Sequence, residues 1–175
     1  MTIKQWDAAH TTDRADELGR LLVDVVNSGA SVGFLPPLGR DEAWAYWVDV
    51  ARSIAAGSVQ LLVLERAGEL IGTVQLQEAP RANASHRAEV AKLMVRSLYR
   101  QVGHGRQLML AVQALASARG RTTLVLDTRS GDPSERLYLA LGWVKAGEVP
   151  RYARSADGSL HATSIFYLHL NGASA

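Results

Sequence analysis

From about Thr12 to Asn27, Leu18, Leu21, Leu22, Val25 and Val26 recur at the spacing that places them on one helical face, with Thr11, Thr12 or Asp13 ahead of them as caps. A short strand, TIKQWDAA, precedes this helix. The stretch SGASVGFLPPLG after it is loop by its glycines and prolines. RDEAWAYWVDVARSIAAG then predicts a second helix with Trp44, Trp47, Val48 and Ala51 on one side, ending near Gly57. Next, SVQLLVLERAGELIGTVQLQEA holds two β-rich runs around a turn at Ala67–Gly68, and HRAEVAKLMVR a third, the pattern of an antiparallel meander. Helical spacing returns from about Gly105 to Ala118, where Leu108, Val112 and Leu115 form the inner stripe and Gly120 stops the helix. TTLVLDT reads as a short buried strand, and PSERLYLALG as a helix with Pro133 in its first turn and Gly142 at its end. WVKAGEVP and TSIFYLHL supply two last strands.

The predicted order, β α α β β β α β α β β, describes a mixed α/β (α+β) sheet of about seven strands, mostly antiparallel, flanked by about four helices. The central strand–helix–strand unit predicts a right-handed parallel crossover, and ligands of such sheets gather at the carboxyl ends of strands where the topology switches. No repeat, low-complexity segment or linker interrupts the 175 residues, so one domain over residues 1–175 is expected. A chain 47% hydrophobic and 21% charged belongs to the globular class, and no apolar run approaches the roughly 18 residues that cross a bilayer. The N-terminus lacks the organisation of a secretory signal, and cysteine is absent, which removes disulfides and thiolate metal sites and points to the cytoplasm. A formal charge of +2 is too small to argue for nucleic acid, and the basic residues lack interleaved aromatics. The histidines show no metal-ligand spacing, so no metal is expected.

The stretch LYRQVGHGRQLML changes this picture. Arg100-x-x-Gly103-x-Gly105 leaves the third meander strand and passes directly into a helix. Glycine permits positive φ and close approach by a ligand, and the first helical turn offers unpaired N–H groups at the positive end of the dipole. The turn suits a pyrophosphate, or it is a plain structural turn. No Gly-Lys-Ser/Thr follows, which excludes the nucleotide P-loop.

KLMVRSLYRQVGHGRQLML resembles the acetyl-CoA-binding motif of the GNAT acetyltransferase superfamily, whose order of strands and helices is similar over nearly the whole chain. Gln101 stands where many members have another glycine, and Ser97 where many have proline. SGASVGF, AAGS, RAEVAKLMV, GRQLM, LDTRSGD, GEVPRY and DGSLHATSIFY together resemble the tabtoxin-resistance acetyltransferases within that superfamily, which acetylate a small amino-acid-like toxin. The resemblance implies acetyl-CoA as cosubstrate, with its pyrophosphate on the amides of Gln101, Val102, Gly103, His104, Gly105 and Arg106 and added charge from Arg100 and Arg106. It also implies a pantetheine arm along Leu93, Met94 and Val95, and a splay between KLMV and LVLD that admits the acetyl group. Ser130 or Asp132 would take the place of an asparagine that often contacts CoA, because Gly131 stands at that position.

Transfer to an amine needs a base for its proton, a donor to the thioester carbonyl and an acid for the departing thiolate. Glu89 is the first candidate base; by the period of two it shares a face with Ala91, Leu93 and Val95, and burial there would raise its pKa. The alternative is a glutamate paired with Arg87 or Lys92. Asp127, across the expected gap, is read as a holder of the substrate ammonium or a partner to the base, or else as a turn aspartate. Tyr138 matches the tyrosine that many family members place near the CoA sulfur as acid; otherwise it is a core aromatic. The backbone N–H of Val95 or its neighbour, freed by the splay, is the expected carbonyl donor.

Ser31, Phe34, Tyr152 and His161 are the substrate-binding candidates, while Trp44 and Trp47 at i and i+3 are expected in the core. The resemblance implies acetylation of a small polar amine, and a homodimer formed through the last two strands or the two-helix insertion, where family members often pair. Acetylation of a protein N-terminus or lysine, and a silent CoA-binding sensor, are the alternatives.

Overall fold

The computed structural model of the protein describes residues 1–170; residues 171–175, the end of the expected domain, lie outside them. The chain begins with strand β1 (Thr2–Trp6) and helix α1 (Ala8–Asp13), whose Asp7 side chain caps the His10 amide at 2.8 Å. Helix α2 (Ala15–Asn27) follows, so the helix expected from about Thr12 is two helices meeting at Arg14. Arg14 has φ −111° and ψ 22°, outside the helical range, and its guanidinium reaches Glu65 at 2.6 Å and the Gly68 carbonyl at 3.1 Å. A long-range ion pair, invisible in local periodicity, holds this break.

Helix α3 (Arg40–Ala55) buries Ala43, Trp47, Val50 and Ala51. Trp47 is core as expected, whereas Trp44 is 47% exposed. The two helices meet closely at small residues, because a Cβ on Gly19 would stand 3.6 Å from the Trp44 amide nitrogen, and Trp44 points away.

Strands β2 (Val59–Arg66) and β3 (Glu69–Glu78) form a hairpin in which Ala67 and Gly68 both take positive φ, 49° and 85°, as a two-residue turn with the right twist requires. Strand β4 (Arg87–Val95), helix α4 (His104–Ala118) and strand β5 (Thr123–Arg129) make the parallel crossover. Helix α5 (Pro133–Ala140) leads into β6 (Val144–Arg154), which returns as β7 (Leu160–His169). The described residues form a seven-stranded sheet in the order β1-β2-β3-β4-β5-β7-β6, antiparallel except for β4 and β5.

Both faces of this sheet are covered, which is why β2 is buried at nearly every position instead of alternating. Val59, Leu61 and Val63 face a core with α2 and α3, while Leu62 and Leu64 face one with α4 and Tyr138 of α5.

Candidate functional site

The sheet opens at its centre. β4 and β5 are registered only at Arg87–Thr123, Ala88–Leu124 and Glu89–Val125, although the strands continue to Val95 and Arg129. The edge of β4 beyond Glu89 is thereby freed from β5. On its other side β4 stays paired with β3 through a bulge: Gln75 opposes Ala91 and Thr73 opposes Met94, leaving Lys92 and Leu93 together opposite Val74. Lys92 takes φ 52° to make this bulge. Gly72 lets β3 come close there, since a Cβ would meet the Met94 carbonyl at 2.7 Å.

The bulge reverses the alternation of side chains. Ala88 and Val90 face the α4 core, Leu93 and Val95 pack against that same core, and Met94 lies in the α2–α3 core. Glu89 therefore does not share a face with Leu93 and Val95, contrary to strict alternation. The sequence carried a signal of this: Ala88, Val90, Lys92 and Met94 fall on one face without a bulge, and a lysine is the misfit in that row.

A cleft of about 640 Å³ occupies the opening. Glu89, Asp127 and Tyr138 line it together, as do Leu93, Arg100, Asp132, Ser31 and Tyr152. Phe34 stands behind the lining, edge-on to Tyr46 at 5.2 Å. Met94 is 1% exposed, so its main chain alone is available. Ser130 shares a hydrogen bond with Ser164 at 2.8 Å, and His161 lies exposed on β7, 2.9 Å from the Ser159 hydroxyl. Tyr152 reaches the cleft because β6 carries a wide irregularity between Val149 and Ala153, with Arg151 at φ 55°.

The electrostatics of the cleft are set by partial burial. Burial raises the Glu89 pKa first, and the negative charge of Asp127 adds to it, while Lys92 and Arg87 pull it down. Burial also raises Tyr138, to about 12, helped by Asp127 and Asp132 and opposed by a hydrogen bond with Ser134. A phenol so held keeps its proton until a strong base forms beside it. Asp132 is raised chiefly by burial and lowered by Arg129.

Arg129, Thr128 and Ser134, which the sequence did not single out, line the cleft, as does Lys92, which it offered only as a partner for Glu89. Of these, Lys92 carried the period-breaking signal described above; the others sit where only the fold brings them.

Arg100 lines the cleft, and just beyond it, outside the lining, stands the N-terminus of α4. Gly103 occupies the cap position at φ 92°, and Gln101 also takes positive φ, 64°, the conformation a glycine adopts without strain. Among the described residues, no amide from Gln101 to Arg106 has a hydrogen-bond acceptor. Val102 and Arg106 are exposed, and His104 is 8% exposed with its Nδ1 unpartnered. Arg100 is already engaged: its Nε donates to the Val95 carbonyl at 3.0 Å and its guanidinium to the Ser28 hydroxyl at 2.8 Å. Free amides at the positive end of a helix fit an anion such as a pyrophosphate, and the freed edge of β4 fits an extended chain.

A splayed parallel pair beside an anion seat is the architecture of an acyl-CoA-dependent transferase. The sequence matches the acetyltransferase (GNAT) family over residues 18–143, and the chain belongs to that family. It is an acetyltransferase by that membership.

Solved structures share the fold. A ribosomal-protein-alanine N-acetyltransferase from Brucella melitensis superposes with a TM-score of 0.79 at 18% identity, covering 97% of this chain and 100% of its own. An acetyltransferase-fold protein from Salmonella typhimurium, solved with its cofactor acetyl-CoA, gives 0.80 at 19% identity, covering 100% and 96%. A protein proposed to be a phosphinothricin N-acetyltransferase gives 0.79 at 18% identity, covering 97% and 99%. Among the described residues no group of three or more acidic or histidine side chains is placed to hold a metal, and no helix is long and apolar enough to cross a membrane.

Proposed function

We propose that this single-domain enzyme acetylates the primary or secondary amine of a small, polar, amino-acid-like molecule by direct transfer from acetyl-CoA. The observation that carries this reading is the pairing of Glu89 and Asp127 at the splay, under a loop whose Ser28–Gly33 segment lines the same cleft. A loop over the acceptor end favours a compact molecule over a protein tail.

Acetyl-CoA supplies an activated acetyl thioester. The amides from Gln101 to Arg106 hold its pyrophosphate, and the main chain of Leu93 and Val95 runs beside its pantetheine arm. Asp127 holds the incoming ammonium. Glu89, with its raised proton affinity, takes the proton and leaves a nucleophilic amine. The N–C bond forms as the C–S bond breaks, the Val95 N–H steadies the carbonyl oxygen, and Tyr138 delivers its proton to the departing sulfur. Ser31 and Tyr152 border the acceptor, Phe34 packs on Tyr46 beside the Ser28–Gly33 loop, and His161 stands outside the cleft lining.

The similarity of SGASVGF and DGSLHATSIFY to tabtoxin-resistance enzymes supports a toxin or antibiotic as acceptor and a resistance role in the cytoplasm. A homodimer fits the uncovered edge of β6, where Val144 and Val149 are exposed.

The test is thiol release from acetyl-CoA over a panel of amines that includes β-lactam amino acids and phosphinothricin. Turnover on amino-acid-like amines supports the reading. Turnover on peptide N-termini or lysines alone replaces it with protein acetylation, and CoA binding without turnover on any amine replaces it with a sensor.

A further inference from the structure

Lys92 stands where the splay, the bulge and the acceptor loop meet. The left-handed conformation at φ 52° costs a side-chain-bearing residue about 1 kcal/mol, and at this position it aims the lysine away from the α4 core. Its Nζ donates to the Val32 carbonyl at 2.7 Å and lies 5.7 Å from the ring centres of both Phe34 and Tyr46. A Cβ at Gly33 would stand 3.1 Å from that nitrogen, and Gly33 itself holds φ 88°, so the loop is shaped closely around the ammonium.

The charged and titratable groups facing Lys92 come from three elements. Glu89 is on β4 itself, Asp127 is on β5, and the Tyr46 phenol is on α3, raised to about 12 by burial. Burial alone would push the Lys92 ammonium toward its neutral form, and Asp127 and Glu89 hold it back. In turn, the Lys92 charge lowers the proton affinity of Glu89 more than the Arg87 charge does.

We infer that Lys92 is a positioning residue that ties the Ser28–Phe34 loop to the β4 bulge through the Val32 carbonyl and sets the charge beside Glu89. One cation thereby couples closure of the acceptor pocket to the ionisation of the base. This rests on Glu89 being the base only for its catalytic consequence; the tie and the electrostatic coupling stand without it.

The experiment compares wild type with Lys92→Met and Lys92→Arg, with no acceptor needed. Amide hydrogen exchange follows the loop, and ¹³C NMR of labelled glutamate carboxyls, assigned through Glu89→Gln, follows the titration of Glu89. In Lys92→Met, exchange of the hydrogen-bonded loop amides of Gly29, Ala30 and Leu38 accelerates by about 10-fold or more, as loss of a hydrogen bond from a charged donor predicts. The Glu89 midpoint moves upward in the same variant. Lys92→Arg keeps the Glu89 midpoint near wild type but loosens the loop, because Gly33 leaves no room for a wider head group. An unmoved midpoint or an unmoved loop in Lys92→Met overturns the inference. If instead both move while Glu89→Gln retains full turnover with a competent amine, the inference stands and the assignment of Glu89 as base falls.

Discussion

The cleft and the α4 terminus beside it are made from different parts of the polypeptide. On the proposed reading the groups that bind at α4 are main-chain amides, presented by Gln101 and Gly103 in positive-φ conformations. At the acceptor end they are side chains, with Glu89 and Lys92 from β4, Asp127 from β5 and Ser31 from the loop. A backbone seat tolerates most side-chain changes and depends on conformation. A side-chain pocket depends on identity and charge, so under the proposed function the first region would set what all substrates share and the second which amine is taken.

The largest effects are expected at the acceptor end. Glu89→Gln should lower kcat/KM by about 10²-fold or more if Glu89 carries the proton. The wild-type rate should rise with pH through a carboxylate titration lying above the ordinary glutamate range, because burial and Asp127 raise the Glu89 pKa and the base works unprotonated. Glu89→Gln should lack that limb in the pH–rate profile. Tyr138→Phe should cost about 10²-fold in kcat with little change in the KM of acetyl-CoA, measured by thiol release.

At the backbone seat the effects are smaller and of another kind. Gly103→Ala places a Cβ at φ 92°, where space is open but the conformation is strained by about 1 kcal/mol. A several-fold rise in the KM of acetyl-CoA, a Tm lower by a few degrees and an unchanged kcat are expected. Gln101→Gly should do least. It relieves strain at φ 64° while adding freedom to the unfolded chain, so Tm should stay within about 2 °C of wild type and CoA affinity within about twofold. A large loss there would mean that the Gln101 side chain binds, and the contrast between the two ends would blur.

The same contrast explains what the sequence disclosed. The sheet and its helices were legible because hydrophobic periods of two and 3.6 report which faces are buried. The turn that caps α4 was legible because a glycine at Gly103 reports backbone conformation directly. The break at Arg14 was not, since its cause, Glu65, lies far along the chain. Trp44 was misplaced because helical spacing alone allowed two neighbouring stripes, and the close approach of α3 to Gly19 chose the one centred on Ala43 and Trp47. The face of Glu89 was misread for a similar reason: one extra residue at Lys92 inverts the parity of everything after it. Lys92 itself looked like a surface partner for Glu89, and only the fold brings Val32, Phe34 and Tyr46 around it.

The most direct test of the division between a backbone seat and a side-chain pocket is the affinity of Glu89→Gln for CoA, measured by isothermal titration calorimetry beside its turnover. CoA should bind this variant within about twofold of wild type while turnover falls by about 10²-fold. Weakened CoA binding in proportion to the lost turnover would contradict the account.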